Sequence, residues 1–132
     1  MSRPTKVIVN RQAIKNNLAL ANSIAPTSKL VSVIKANAYG HGLIEIAKTL
    51  SDSTEAFGVA CIEEAISIRN AGIENPILLM EGLFTEDELQ VASEKNFWLM
   101  VEKRILKHVR VCKAIVKKWS SSKRLSSNSF LI

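Results

Sequence analysis

From Asn10 onward the apolar residues fall into short blocks whose spacing alternates between a helical and an extended period. Ile14, Leu18, Ala21 and Ala25 recur at three- and four-residue intervals, which predicts one face of a helix. Asn10 stands just ahead of them, where its side-chain oxygen can accept from the open N–H groups of a first turn. Pro26 closes the element, because a proline cannot continue a helix. Before this helix, Lys6 to Val9 reads as a short extended segment. After it, Leu30-Val31-Ser32-Val33-Ile34 is a nearly continuous apolar run rich in β-branched residues. Such a run suits a strand buried on both faces, as in a parallel sheet.

The alternation then repeats. A glycine-containing turn leads into a helix predicted over Leu43 to Leu50. Ala56 to Ala60 predicts a strand, and Ile62 to Ala71 a helix with Gly72 as its C-terminal stop. Pro76 precedes a strand over Ile77 to Met80. Thr85-Glu86-Asp87-Glu88 has the form of a capping box and opens a helix reaching about Lys95. Phe97 to Val101 predicts one more strand. Strands therefore begin near residues 30, 56, 77 and 97, with a helix between each pair. That order predicts an α/β fold of right-handed β/α units on a parallel sheet. About four such units are half of a (β/α)8 TIM-type barrel, but pattern alone leaves a small doubly wound sheet equally open.

Composition narrows the class. Of 132 residues, 47% are hydrophobic and 23% charged, the balance of a folded globular chain rather than a disordered one. No apolar run approaches the roughly 18 to 20 residues that cross a bilayer, and the first residues lack the apolar stretch of a signal peptide. The expected compartment is the cytoplasm, with no membrane partner. Cys61 and Cys112 form no Cys-x-x-Cys pair, and neither His41 nor His108 has a metal-ligating neighbour at helical spacing. Two reduced thiols and no metal are expected.

The net charge of +6 is unevenly spread. Residues 1–102 carry nine Lys/Arg against twelve Asp/Glu, whereas residues 103–132 carry nine Lys/Arg and no acid. The basic character thus belongs to the last thirty residues, and the mildly acidic body argues against a nucleic-acid partner. Within that tail Ile105, Val109, Cys112, Val116 and Trp119 share a helical face, followed by a serine-rich end. It reads as a basic amphipathic helix followed by disorder.

The chemistry centres on Lys35. It follows an apolar strand directly, and the chain continues Ala36-Asn37-Ala38-Tyr39-Gly40-His41-Gly42. A lysine there sits at the C-terminal mouth of the sheet, where α/β proteins place their sites, and desolvation at such a mouth favours a nucleophilic amine. Gly40 and Gly42 permit tight turns beside a ligand, and Tyr39 offers a hydroxyl within reach of a phosphate. Met80, at another strand end, lines either the site or the core. His41 is expected to stabilise the turn.

The string Val33-Ile34-Lys35-Ala36-Asn37-Ala38-Tyr39-Gly40-His41-Gly42 resembles the pyridoxal-phosphate attachment signature of the alanine racemases. The likeness extends from about Lys6 to Glu102 and includes Phe57-Gly58-Val59-Ala60, Glu63-Glu64-Ala65, Arg69-Asn70-Ala71-Gly72-Ile73 and Pro76-Ile77-Leu78-Leu79. It implies a barrel segment over 1–102 and a divergent basic tail over 103–132, the tail being read out of frame or truncated. It also implies that Lys35 is the catalytic residue, holding pyridoxal 5'-phosphate covalently and then serving as one of two bases at the substrate Cα. Tyr39 would bond the cofactor phosphate.

The activity implied is interconversion of L- and D-alanine, supplying D-alanine for the cell wall. In that family the second base is a tyrosine of the partner subunit in a homodimer. Tyr39 is this sequence's one tyrosine. The resemblance therefore implies an N-terminal part that does not racemise alone. The alternative is a non-catalytic pyridoxal-phosphate-binding protein of the same barrel superfamily.

Overall fold

The structure is a computed structural model that describes residues 6–100 and the backbone of Phe130 and Leu131. Its elements are α1 (Arg11–Ile24), β1 (Lys29–Val33), α2 (Lys35–Tyr39), α3 (Leu43–Leu50), β2 (Ala56–Val59), α4 (Ile62–Asn70), β3 (Ile77–Leu79), α5 (Glu86–Glu94), β4 (Trp98–Leu99) and β5 (Phe130–Leu131). All neighbouring strands are parallel, in the order β4-β3-β2-β1-β5. From β1 to β4 each new strand is laid beside the last with no reversal. A doubly wound sheet changes direction at its switch point, whereas a barrel advances steadily. The fold is an incomplete (β/α)8 barrel.

The predicted elements are present with small shifts at their ends. Asn10 caps α1, its side-chain Oδ1 accepting from the Ala13 N–H at 3.0 Å. Replacing Asn10 by alanine is expected to cost about 1 kcal/mol of unfolding free energy. Urea denaturation would show this as a lower midpoint, and an unchanged midpoint would mean the cap contributes nothing. Residues 6–10 belong to no strand, and Val7 and Ile8 are exposed. Thr85 makes no side-chain cap for α5, and Glu88 accepts from the N–H of Phe84, one residue before the N-cap, at 2.7 Å, so neither bond of the expected capping box forms. β4 is only two residues long, and Val101 lies outside the described residues. The expected tail helix over 105–119 also lies outside them. Beyond it, Phe130 and Leu131 pair with Lys29 and Leu30 along the free edge of β1, where composition gave no reason to expect a strand.

Side chains separate by parity along the strands. Ile34, Phe57, Val59, Ile77 and Leu79 join Ile46, Leu50, Ala65, Ile68 and Ala92 in one core between sheet and helices. Phe57, Phe97, Ile68, Ile77, Leu79 and Val59 are its largest fully buried members, and burial stabilises each by about 1.5 to 3 kcal/mol.

At the N-terminal side of the sheet, polar groups secure the helix-to-strand connections. Thr54 Oγ1 donates to Ala56 O at 3.0 Å, and Asn75 Nδ2 donates to the carbonyls of Ser51 and Thr54. The Arg69 guanidinium donates to Ile73 O and Asn75 O and lies 5.6 Å from the centroid of the Phe97 ring. Burial pushes the Arg69 guanidinium down from its ordinary value, with Glu74 opposing that shift. These contacts hold the face of the sheet away from the site.

Candidate active site

β1 ends at Val33, and one more sheet bond follows it, Ile34 N–H to Gly58 O at 2.9 Å. Lys35 comes next, half-buried at the C-terminal end of the strand. Val31 and Val33 occupy the sheet face away from the helices. On the same face, a Cβ built on Gly58 would meet Met80 Sδ at 3.1 Å, Val33 Cγ2 at 3.3 Å and Val31 Cγ1 at 3.5 Å. The missing side chain at position 58 is therefore what lets Met80 lie across the sheet toward β1. Met80 lines this inner face and is not one of the buried core residues.

The turn after Lys35 has an unusual backbone. Ala36, Asn37, Ala38 and Tyr39 all have φ between +51° and +54°, making a left-handed helical turn before Gly40 at +84° and Gly42 at +95°. Sequence reasoning assigned the sharp geometry to the two glycines. It begins four residues earlier, on side chains that disfavour it by about 1–2 kcal/mol each. Asparagine tolerates the conformation best, and Asn37 also works as a brace. Its carbonyl accepts from Gly40 N–H at 3.1 Å and Gly42 N–H at 3.0 Å, and its side-chain Oδ1 accepts from Leu43 N–H at 2.8 Å. That last bond satisfies an open N–H of α3, whose N-cap residue Gly42 has no side chain to do so. His41 Nδ1–H donates to Ala38 O at 2.9 Å, the turn-stabilising role expected of it.

Glu64 ties this turn to the next loop. One carboxylate oxygen accepts from Asn37 N–H and the other from Ala60 N–H, both at 3.1 Å. Next to it, burial pushes the Cys61 thiol up from its ordinary value, which keeps it protonated. Glu63 is held below the usual carboxylate range by its own backbone N–H and the Cys61 thiol. Sequence reasoning singled out neither Asn37 nor Glu64 as a site residue. The available signals were an asparagine between alanines after the lysine and an acid in the first turn of the next helix.

The two residues that were singled out stand on one turn. The Tyr39 side chain is exposed, and neither its hydroxyl nor the Lys35 ammonium has a hydrogen-bond or ion-pair partner among the described residues. The class these features define is a β/α-barrel segment that carries an amine and a phenol on one turn at the C-terminal end of its first strand.

Comparison with known proteins makes the assignment specific. A family model described as alanine racemase, N-terminal domain, matches residues 9–119, seventeen positions beyond the point where the sequence pattern changes character. An alanine racemase of Legionella pneumophila is 47% identical over 97 residues, covering 74% of this chain and 27% of that protein. A biosynthetic alanine racemase of Escherichia coli O6:H1 is 54% identical over 90 residues, covering 68% of this chain and 25% of that protein. The solved alanine racemase of Acinetobacter baumannii superposes with a TM-score of 0.68 at 41% identity, covering 79% of this chain and 30% of that one. The chain belongs to the alanine racemase N-terminal domain family, whose enzymes are amino-acid isomerases, and it spans about a quarter of the length of the curated relatives it matches.

Proposed function

We propose that this chain is the pyridoxal-phosphate-anchoring part of an alanine racemase, acting in the interconversion of L- and D-alanine that supplies D-alanine for the cell wall. The observation that carries the reading is the turn from Lys35 to Tyr39. It presents an amine and a phenol without other partners among the described residues at the end of β1, in a backbone geometry that the surrounding hydrogen bonds maintain.

The residues present fit the cofactor. Lys35 Nζ is the group that would attach it, and the Tyr39 hydroxyl would donate to its phosphate. The face formed by Val33, Gly58 and Met80 is apolar, with Met80 Sδ and Val33 Cγ2 packed over the backbone at Gly58. When bound, pyridoxal phosphate supplies an electron sink that makes the Cα–H of an amino acid acidic. Lys35 Nζ would accept the Cα proton on one face and return it. Racemisation also requires a proton donor on the opposite face. By the family's chemistry that donor is a tyrosine, and the sequence's single tyrosine already serves the phosphate.

On this reading residues 1–102 are the working part, and these 132 residues by themselves bind the cofactor without racemising. Two cysteines without a Cys-x-x-Cys pairing favour a reducing compartment, the cytoplasm. No helix among the described residues is long and apolar enough to cross a membrane. The test is to incubate the chain with pyridoxal phosphate, reduce with borohydride and map the modified peptide. The label is expected on Lys35, with no turnover of L-alanine in a coupled assay. A folded chain left unlabelled at Lys35 would overturn the reading, and measurable turnover would overturn the division of labour.

A further inference from the structure

α4 and α5 begin alike and then differ in one bond. In both helices the third residue after the N-cap is a glutamate whose carboxylate reaches back four positions to a backbone N–H, Glu64 to Ala60 and Glu88 to Phe84. For Glu88 that local bond is the only one among the described residues. Glu64 uses its second oxygen to accept from Asn37 N–H, 27 positions away in the left-handed turn after β1. This extra bond is not needed to start α4. Its effect is to lock the mouth of β1 to the mouth of β2.

We infer that Glu64 is a positioning residue, which holds the left-handed turn in register so that Lys35 and Tyr39 face the same ligand. The inference rests on the cofactor-anchoring reading above and extends it to a residue that touches neither cofactor nor substrate.

The physical case is direct. Four consecutive residues with side chains disfavour a left-handed backbone, so the turn persists only where its surroundings determine it. Hydrogen bonds within the segment use the N–H groups of Ala38, Gly40, His41 and Gly42, the first donating to Ile34 O. Asn37 N–H instead leaves the segment to reach Glu64, and a carboxylate is the strongest acceptor available to a backbone N–H. Through Asn37 the restraint continues to α3, because the same residue's Oδ1 accepts from Leu43 N–H. Glu64 thereby links the β1 turn, the β2 loop and the start of α3.

The test compares the full chain with Glu64→Ala, Glu64→Gln and Glu88→Ala. Two readouts are followed: amide hydrogen exchange by NMR, without cofactor, and the pyridoxal-phosphate concentration that half-saturates borohydride labelling of Lys35. Circular dichroism confirms that each variant is folded. Glu64→Ala is expected to raise exchange at Asn37 and Ala60 by about tenfold or more and to weaken labelling by about tenfold, the scale of one lost charge-assisted bond. Exchange at Phe57 and Leu79 should stay as in the wild type. Glu64→Gln keeps a single accepting oxygen and should fall between, which preserves the test if the alanine variant does not fold. Glu88→Ala removes the matching cap from α5 and should leave labelling of Lys35 unchanged.

Wild-type labelling together with equal labelling in both Glu64 variants would overturn the inference alone. So would a loss in Glu88→Ala as large as that in Glu64→Ala, because helix stability would then be the cause. Failure of the wild type to label would remove the functional reading itself.

Discussion

Lys35→Ala is expected to abolish borohydride-stable attachment of pyridoxal phosphate and the visible absorbance of the lysine-bound cofactor, while leaving the fold intact. The side chain is half-buried and has no hydrogen-bond or ion-pair partner among the described residues, so its removal strands no buried group. Substitutions of that kind change stability by about 0.5 kcal/mol or less. The chemical loss is complete because no other residue of the turn carries an amine. Lys35→Arg should fail equally, since a guanidinium keeps the charge but is not a nucleophile near neutral pH. Tyr39→Phe should retain attachment and weaken it by about tenfold, the value of one hydrogen bond to a charged phosphate. Peptide mapping after reduction separates these cases. Label incorporated by Lys35→Ala at wild-type stoichiometry would show that surface lysines, not this site, take up the aldehyde.

Phe57→Ala should be the most damaging substitution in the described fold. Phe57 lies on β2, which has β1 on one side and β3 on the other, and its ring is 0% exposed within the core beneath the helices. Truncating a phenylalanine in such a position costs about 3–5 kcal/mol, from lost burial and from the cavity left behind. Domains of this size are stable by only about 5–15 kcal/mol, so the variant would approach the limit of folding. Urea denaturation of wild type, Phe57→Leu and Phe57→Ala should give midpoints falling in that order. A cost below about 1 kcal/mol for the alanine variant would show that this core is loosely packed.

The elements were legible because their signals are local. The spacing of Ile14, Leu18 and Ala21 reports a helix face, and Asn10 announces its start through a bond reaching only three residues forward. Lys35 was legible for a related reason, since its neighbours in sequence mark it as a strand end. The left-handed turn was not legible, because alanine and tyrosine by preference form right-handed structure and nothing adjacent to them signals the reversal. The Thr85 capping box misled in the opposite way. Its residue types were right, but the backbone N–H that the glutamate meets is chosen by the path of the chain into α5, and Glu88 accepts from Phe84 instead of Thr85.

By itself, then, the amino-acid order decided where most of the helices and strands form, that those strands are parallel, and that an amine and a phenol follow the first strand four residues apart. Each follows from forces acting over a few residues: periodic burial, capping and the turn preferences of glycine. Only the tertiary structure decided the steady strand order that distinguishes a barrel from a doubly wound sheet, the clearance that Gly58 gives Met80, and the bond from Glu64 to Asn37. Those depend on groups brought together from distant positions, where geometry set by the whole sheet selects one partner among many that composition would allow.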